Sequence, residues 1–354
     1  MPFPRALICT LGPSSLHERV IRQLDEVGIT SFRINMSHTE IDDLERVIGL
    51  IQKCTKVPIC IDTEGAQLRT GVMSDGVGVS EGSRVRLAPD AICGDATTIP
   101  LTPGSAIERL EPESRMSIDF DSVTLRIDRV SDGGAEATVL TGGEVGSHKA
   151  VTAFPSPALP TFSEKDLLAI RLATQHDVHE FDLSFCHDQS AVDHLRKMIG
   201  PNDRVIAKIE SREGVRNLAQ IAGSADAILI DRGDLSREVR LEAIPLLQKA
   251  IIRKANAAGT PVYVATNLLE SMVTRRTPTR AEVNDVINTL LDGANGLVLA
   301  AETAIGKYPV EAAKMIAALW KEYEGSIEGY RLEDLLGDHP LATELSARRT
   351  SSTP

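Results

Sequence analysis

Short, nearly continuous apolar runs alternate along this chain with segments whose apolar residues recur every three or four positions. ALICT, from Ala6, leads through the turn LGPSS to Leu16, Val20, Ile21 and Leu24 at helical spacing. TSFRIN, from Thr30, precedes a helical pattern through Leu44, Val47, Ile48 and Ile51, and PICID, from Pro58, follows it. Runs this apolar fit strands covered on both faces. The alternation stops near Gly71. From there to about Pro157 the chain is rich in Gly, Ser and Thr, with short alternating runs such as SRVRLAP, VTLRIDRV and AEATVL separated by SDGG and TGGE. This predicts a small all-β insert over residues 72–157.

The first rhythm returns at PTFSEKDLLAIRLATQ, where Ser163 can cap a helix with Glu164 and Asp166 in its first turn. EFDLSF, DRVIAKI, ADAILID, PVYVAT and GLVLAA supply the fourth to eighth strands. Leu241, Ile244, Leu247 and Ile251, then Val283, Val286, Ile287 and Leu290, mark helices between them. Eight strand–helix units outside the insert predict an α/β fold, a (β/α)8 TIM barrel over residues 1–71 and 158–325 with the all-β domain inserted after the third strand. Residues 326–354 read as a tail.

Composition narrows the function classes. A balance of 38 Lys and Arg against 50 Asp and Glu gives a net charge of −12 over 354 residues. Nucleic acid and anionic membrane are therefore not expected partners. Five cysteines without CxxC spacing argue against a disulfide framework or a zinc site; Cys9, Cys54, Cys60 and Cys186 read as small core residues. With no apolar stretch of spanning length and no signal-like start, a soluble cytoplasmic protein is expected.

In such barrels chemistry gathers at the carboxyl ends of the strands. Those ends carry Arg33, Asn35 and Ser37; Asp62, Thr63 and Arg69; Ser184; Lys208 and Glu210; Gly233 and Asp234; Thr266; and Glu302 and Thr303. An amine beside two carboxylates suggests a cation and an anion held together.

The segments TLGPSS, FRINMSH, IDTEGAQLRTG, AKIESREG, RGDLSRE, ATNLLESMVTRRTPTRAEVNDV and AAETAIGKYPVEA resemble the successive motifs of pyruvate kinase, from about Arg5 to Ile316. The resemblance implies a kinase that moves a phosphoryl group between phosphoenolpyruvate, or a related enol or hydroxy acid, and ADP or ATP, with the insert as its lid. It implies Mg2+ (or Mn2+) on Glu210 and Asp234, and K+ on Asn35, Ser37, Asp62 and Thr63. Lys208 would steady the phosphoryl group and the enolate, Arg33 would contact the transferring phosphate, and Thr266 would stand near the carbon that is protonated. Substrate carboxylate would meet the backbone of Gly233 and Asp234, beside Asp231 and Ser184. Arg69, His38, Pro13 and Lys149 match nucleotide contacts.

The departures from the family pattern are specific. Asp231 stands where the family has alanine, and a carboxylate there repels an anionic substrate unless a cation or proton offsets it. Glu64, Ala66 and Gln67 replace a lysine, a proline and a glutamate; Ala300 and Ala301 replace serine and glycine; Ile305, Asp43 and His187 replace lysine, tyrosine and arginine; Phe120 replaces a lid aspartate. The enolate side is thus better kept than the nucleotide side. A metal-dependent lyase or aldolase acting through a pyruvate enolate, or a non-catalytic binding protein, are the alternatives. The chain stops before the family's C-terminal domain, so its sugar-phosphate effector site is not expected, whereas TRRTPTRAEV resembles a subunit contact that would allow a homodimer through barrel helices.

Overall fold

The computed structural model describes residues 5–90, 92–119, 121–157 and 159–327; Phe120 and residues 328–354 of the expected tail lie outside them. Eight parallel strands close into a barrel: β1 (Ala6–Leu11), β2 (Ser31–Asn35), β3 (Ile59–Asp62), β4 (Glu180–Leu183), β5 (Arg204–Ile209), β6 (Ala227–Asp231), β7 (Val262–Ala265) and β8 (Gly296–Leu299). β8 pairs with β1, so no edge is left open. The eight predicted strands are these eight. Leu16 precedes its helix, which runs Glu18–Val27, and Leu241 belongs to an exposed single turn before the helix Ile244–Ala257.

Alternation along each strand sorts the residues into two layers. Val205, Ala207 and Ile209 of β5, Ile228 and Ile230 of β6, and Phe181 and Leu183 of β4 join the core under the helices. Ile8, Cys60, Ile206, Leu229, Tyr263 and Val298 fill the barrel interior. One step further along the same inward rows the residues turn polar: Thr10, Arg33, Asp62, Asp182, Lys208 and Asp231, all buried. The barrel is therefore apolar in the middle and charged at the carboxyl end of its strands.

Between Arg69 and Phe154 seven strands form a second sheet with its own core of Leu87, Leu101, Leu125, Ile127 and Val139. Its edge strands are Arg69–Thr70 and Val151–Phe154, and an isolated bridge between Arg69 and Ala150 brings those edges together above the barrel mouth. Among the described residues no helix is long and apolar enough to cross a membrane.

Gly296 opens β8 against the side chains of Tyr263 and Ala6. A Cβ there would lie 2.4 Å from the Tyr263 ring and 2.9 Å from the Ala6 Cβ. Gly296→Ala should cost about 1–3 kcal/mol of stability through overpacking, read as a lower urea midpoint at unchanged slope; an unchanged midpoint would show that this end of the barrel is looser than the geometry indicates.

Candidate functional site

One ammonium organises the mouth. Lys208, 5% exposed at the end of β5, places Nζ 2.9 Å from Glu210 Oε1, 3.0 Å from Asp62 Oδ1 and 3.0 Å from the Ser184 hydroxyl. Asp231 Oδ2 lies 3.8 Å away. Burial disfavours the charge, but Asp62, Glu210 and Asp231 hold the ammonium protonated well above its ordinary range. Arg33 adds a second buried cation: its Nε donates to the Thr10 hydroxyl at 2.8 Å, and Nη1 faces Asp62 at 3.2 Å and Asp182 at 3.6 Å.

Glu210, Asp231 and Asp234 bring one carboxylate oxygen each within 4.8 Å of one another. Burial, only partly offset by Lys208, pushes Glu210 up to about 8, with Asp234 and Asp231 adding to the rise. For Asp231 burial is outweighed by Lys208, the Thr266 hydroxyl and Arg33, and its pKa falls below the usual carboxylate range. Glu210 Oε1 is buried and receives no well-directed hydrogen bond. An all-oxygen donor set with a buried, incompletely satisfied oxygen fits a hard divalent cation, which would also relieve the crowding of three carboxylates.

The loops that hold these groups are fixed from beneath. Ser163 caps the helix Glu164–Gln175 in a reciprocal capping box with Asp166. The same Asp166 carboxylate accepts the N–H groups of Glu64 and Gly65 at 2.7 and 3.0 Å, which sets the turn after β3. Thr63 and Ser184 bind each other across two strand ends, the Thr63 hydroxyl accepting the Ser184 N–H and the Thr63 carbonyl accepting the Ser184 hydroxyl. Thr266 has φ +76, a left-handed backbone that a β-branched residue adopts only under constraint. Arg232 supplies that constraint, donating twice to the Thr266 carbonyl at 2.7 and 3.0 Å and once to Asp285 at 2.7 Å.

An open cavity of about 440 Å³ is lined by Arg33, Asn35, Ser37, His38, Asp62, Thr63, Arg69, Ser184, Lys208, Asp231, Gly233, Asp234 and Thr266. Glu210 lines the adjoining space under the insert. Most residues singled out in the sequence thus share one mouth. Pro13 and Lys149 are not among the lining residues: Pro13 sits exposed in the turn after β1, and Lys149 pairs with Asp119 of the insert at 2.9 Å. Gly233 N–H is not open to a ligand, because Asp231 Oδ1 accepts it at 3.1 Å. Glu302 is a brace, accepting the N–H groups of Leu269 and Ala300.

Sequence reasoning missed four contributors. Asp182, directly beside Asp62 in the barrel register, is pushed up to about 7 by burial and by Asp62, against the pull of Arg33. Alternation within EFDLSF could have found it, since Phe181 and Leu183 point outward. Arg232 and Asp166 position the loops. Arg237 pairs with Asp234 at 2.8 Å and lines the same mouth; its i,i+3 spacing from Asp234 was the available signal.

Residues 4–313 match the sequence profile of the pyruvate kinase barrel domain. The chain belongs to the pyruvate kinase family. The pyruvate kinase of Thermococcus litoralis is 34% identical over 360 residues, covering 98% of this chain and 76% of that protein. Pyruvate kinase PKLR of Rattus norvegicus is 35% identical over 97% of this chain, and the pyruvate kinase of Geobacillus stearothermophilus is 34% identical over 91%. The chain spans only 64% and 57% of those two relatives' lengths.

In this member of the pyruvate kinase family the mouth depends on one charge balance. Lys208→Met leaves Asp62 and Glu210 buried without their ammonium, which should cost about 3–5 kcal/mol. Adding Asp62→Asn should recover part of that loss, because it removes the charge left unpaired. Urea unfolding of the two single variants and the double variant checks this; strictly additive losses would show that Lys208 and Asp62 do not interact.

Proposed function

We propose that this chain carries out metal-dependent phosphoryl transfer between an enol phosphate of the phosphoenolpyruvate type and a nucleoside diphosphate. The observation that carries this reading is the Lys208 ammonium buried within 3.0 Å of Asp62, Glu210 and Ser184, beside the carboxylates of Asp231 and Asp234. Phosphoryl transfer spreads negative charge over the equatorial oxygens, and its catalysis is positioning plus preorganised positive charge. A divalent cation held by Glu210 and Asp234, Mg2+ or Mn2+, would supply part of that neutralisation.

The chain's own groups supply the rest. Lys208 neutralises the enolate oxygen as the phosphoryl group leaves it, and its fixed carboxylate partners keep it charged and in place. Arg33, anchored by Thr10 and Asp62, faces the phosphoryl oxygens. Thr266, held by Arg232, presents its hydroxyl near the carbon that takes the proton. Arg69 and His38 lie on the nucleotide side, and the insert is read as a lid that excludes water, with Lys149 reaching in from it once nucleotide phosphate replaces its partner Asp119. For K+, Asn35, Ser37, Asp62 and Thr63 remain the proposed ligands. Its requirement is expected to be weak, because both Asp62 oxygens already face cations. A homodimer through barrel helices and a cytoplasmic setting belong to the same reading.

Lyase or aldolase chemistry at an enolate is the second reading. It is favoured by the placement of Lys149 on Asp119 and of Pro13 away from the cavity, since both belong to the nucleotide side.

ADP with Mg2+ should raise the melting temperature by a few degrees at saturating concentration. Lys208→Met should lower transfer from phosphoenolpyruvate to ADP by about 100-fold or more. The phosphotransferase reading fails if neither nucleotide stabilisation nor any transfer is seen. Deuterium exchange into pyruvate without nucleotide would then favour the lyase.

A further inference from the structure

Asp231 holds a carboxylate at the donors where the reading above would seat that of a phosphoenolpyruvate-type substrate. Its Oδ1 takes the Gly233 N–H at 3.1 Å and the Thr266 hydroxyl at 2.6 Å. Its Oδ2 faces Lys208 at 3.8 Å, and the residue joins Glu210 and Asp234 as a third candidate cation ligand. The side chain is not incidental surface charge, since the residue is 8% exposed and Gly233 and Thr266, whose donors it uses, line the mouth. A substrate carboxylate brought to the same donors would find them taken. It would also meet a like charge at close range in a poorly solvated site, where repulsion is strong. Gly233 leaves little slack for rearrangement: even a Cβ there would lie 2.9 Å from Thr266 Cγ2 and 3.4 Å from Asp231 Oδ1.

The cation side points the same way. Glu210 Oε1 is buried without a well-directed hydrogen bond although Lys208 Nζ is 2.9 Å away. With Asp231 in the cluster, the protein itself offers three carboxylates, where an oxygen of the substrate would ordinarily supply the third.

We propose that Asp231 is an intramolecular stand-in for the substrate's carboxylate, which completes the cation site before substrate arrives and selects for phosphorylated enols or carbonyl compounds lacking a carboxylate on the carbon that bears the reacting oxygen. The proposal rests on the metal-dependent phosphotransferase reading above. Phosphoenolpyruvate is then turned over by this mouth, but more slowly than a compound smaller by one carboxylate.

The test is calorimetric titration of Mn2+ alone, then of oxalate into the Mn2+-loaded protein, for the unmodified chain, Asp231→Ala and Asp231→Asn. Oxalate serves as the smallest planar dianion with a carboxylate beside a second anionic oxygen. The unmodified chain should bind Mn2+ without oxalate and bind oxalate weakly. Asp231→Ala should lose at least tenfold in Mn2+ affinity and gain at least tenfold in oxalate affinity. Asp231→Asn, which keeps an oxygen for Gly233 and Thr266 without the charge, should lose Mn2+ affinity with a smaller gain for oxalate, and its unchanged melting temperature would show an intact fold. Equal oxalate affinity in the unmodified chain and Asp231→Ala, with Mn2+ bound to both, overturns this proposal alone. Failure of the unmodified chain and both variants to bind Mn2+ overturns the metal-dependent reading, and this proposal with it.

Discussion

A buried ammonium cannot stand without counter-charge, and the mouth of this barrel is built around meeting that demand for Lys208. Three strands answer it: β3 brings Asp62, β5 brings Glu210 just past its own end, and β6 brings Asp231. Each of these carboxylates is itself buried, so none is tolerable without the lysine or another cation nearby. Arg33 shares Asp62 with Lys208 and extends the balance to Asp182. The apolar interior below, from Ile8 through Ile206 and Leu229 to Val298, excludes water from one side and keeps these interactions strong.

Because the groups come from different strands, their meeting depends on barrel closure and on register. Asp62 is level with Asp182, and Lys208 with Leu229, two residues below Asp231 on the same strand. A shift of one residue in β5 would turn Lys208 toward the helices and Ala207 toward the mouth. Positions outside the strands are set by different means. Asp166 fixes the loop after β3 through its capping box, and the guanidinium of Arg232 holds Thr266 in a backbone conformation it would not choose alone.

Much of this was legible in the sequence. Continuous apolar runs ending in charged residues located all eight strands, and the strand ends named most of the groups that line the cavity. What escaped was information carried by three-dimensional neighbours. Asp182 is hidden within EFDLSF until alternation assigns it inward. Arg232 is one letter of a motif read for its aspartate, yet its work lies on Thr266 and Asp285, more than thirty residues away. That Lys149, which matches a nucleotide contact, pairs with Asp119 of the same insert is visible only in three dimensions. The extra carboxylate at Asp231 was visible as a departure; that it would occupy Gly233 N–H and the Thr266 hydroxyl required coordinates.

The most direct measurement of the account is the anomalous scattering from crystals soaked in Mn2+ at the manganese edge. A single ion bounded by the carboxylates of Glu210, Asp231 and Asp234, with the Lys208 ammonium still paired to Asp62, is the expected result. Density for the ion away from these three residues, or a Lys208 side chain turned out of the mouth, would contradict the charge balance from which the site and its function have been derived.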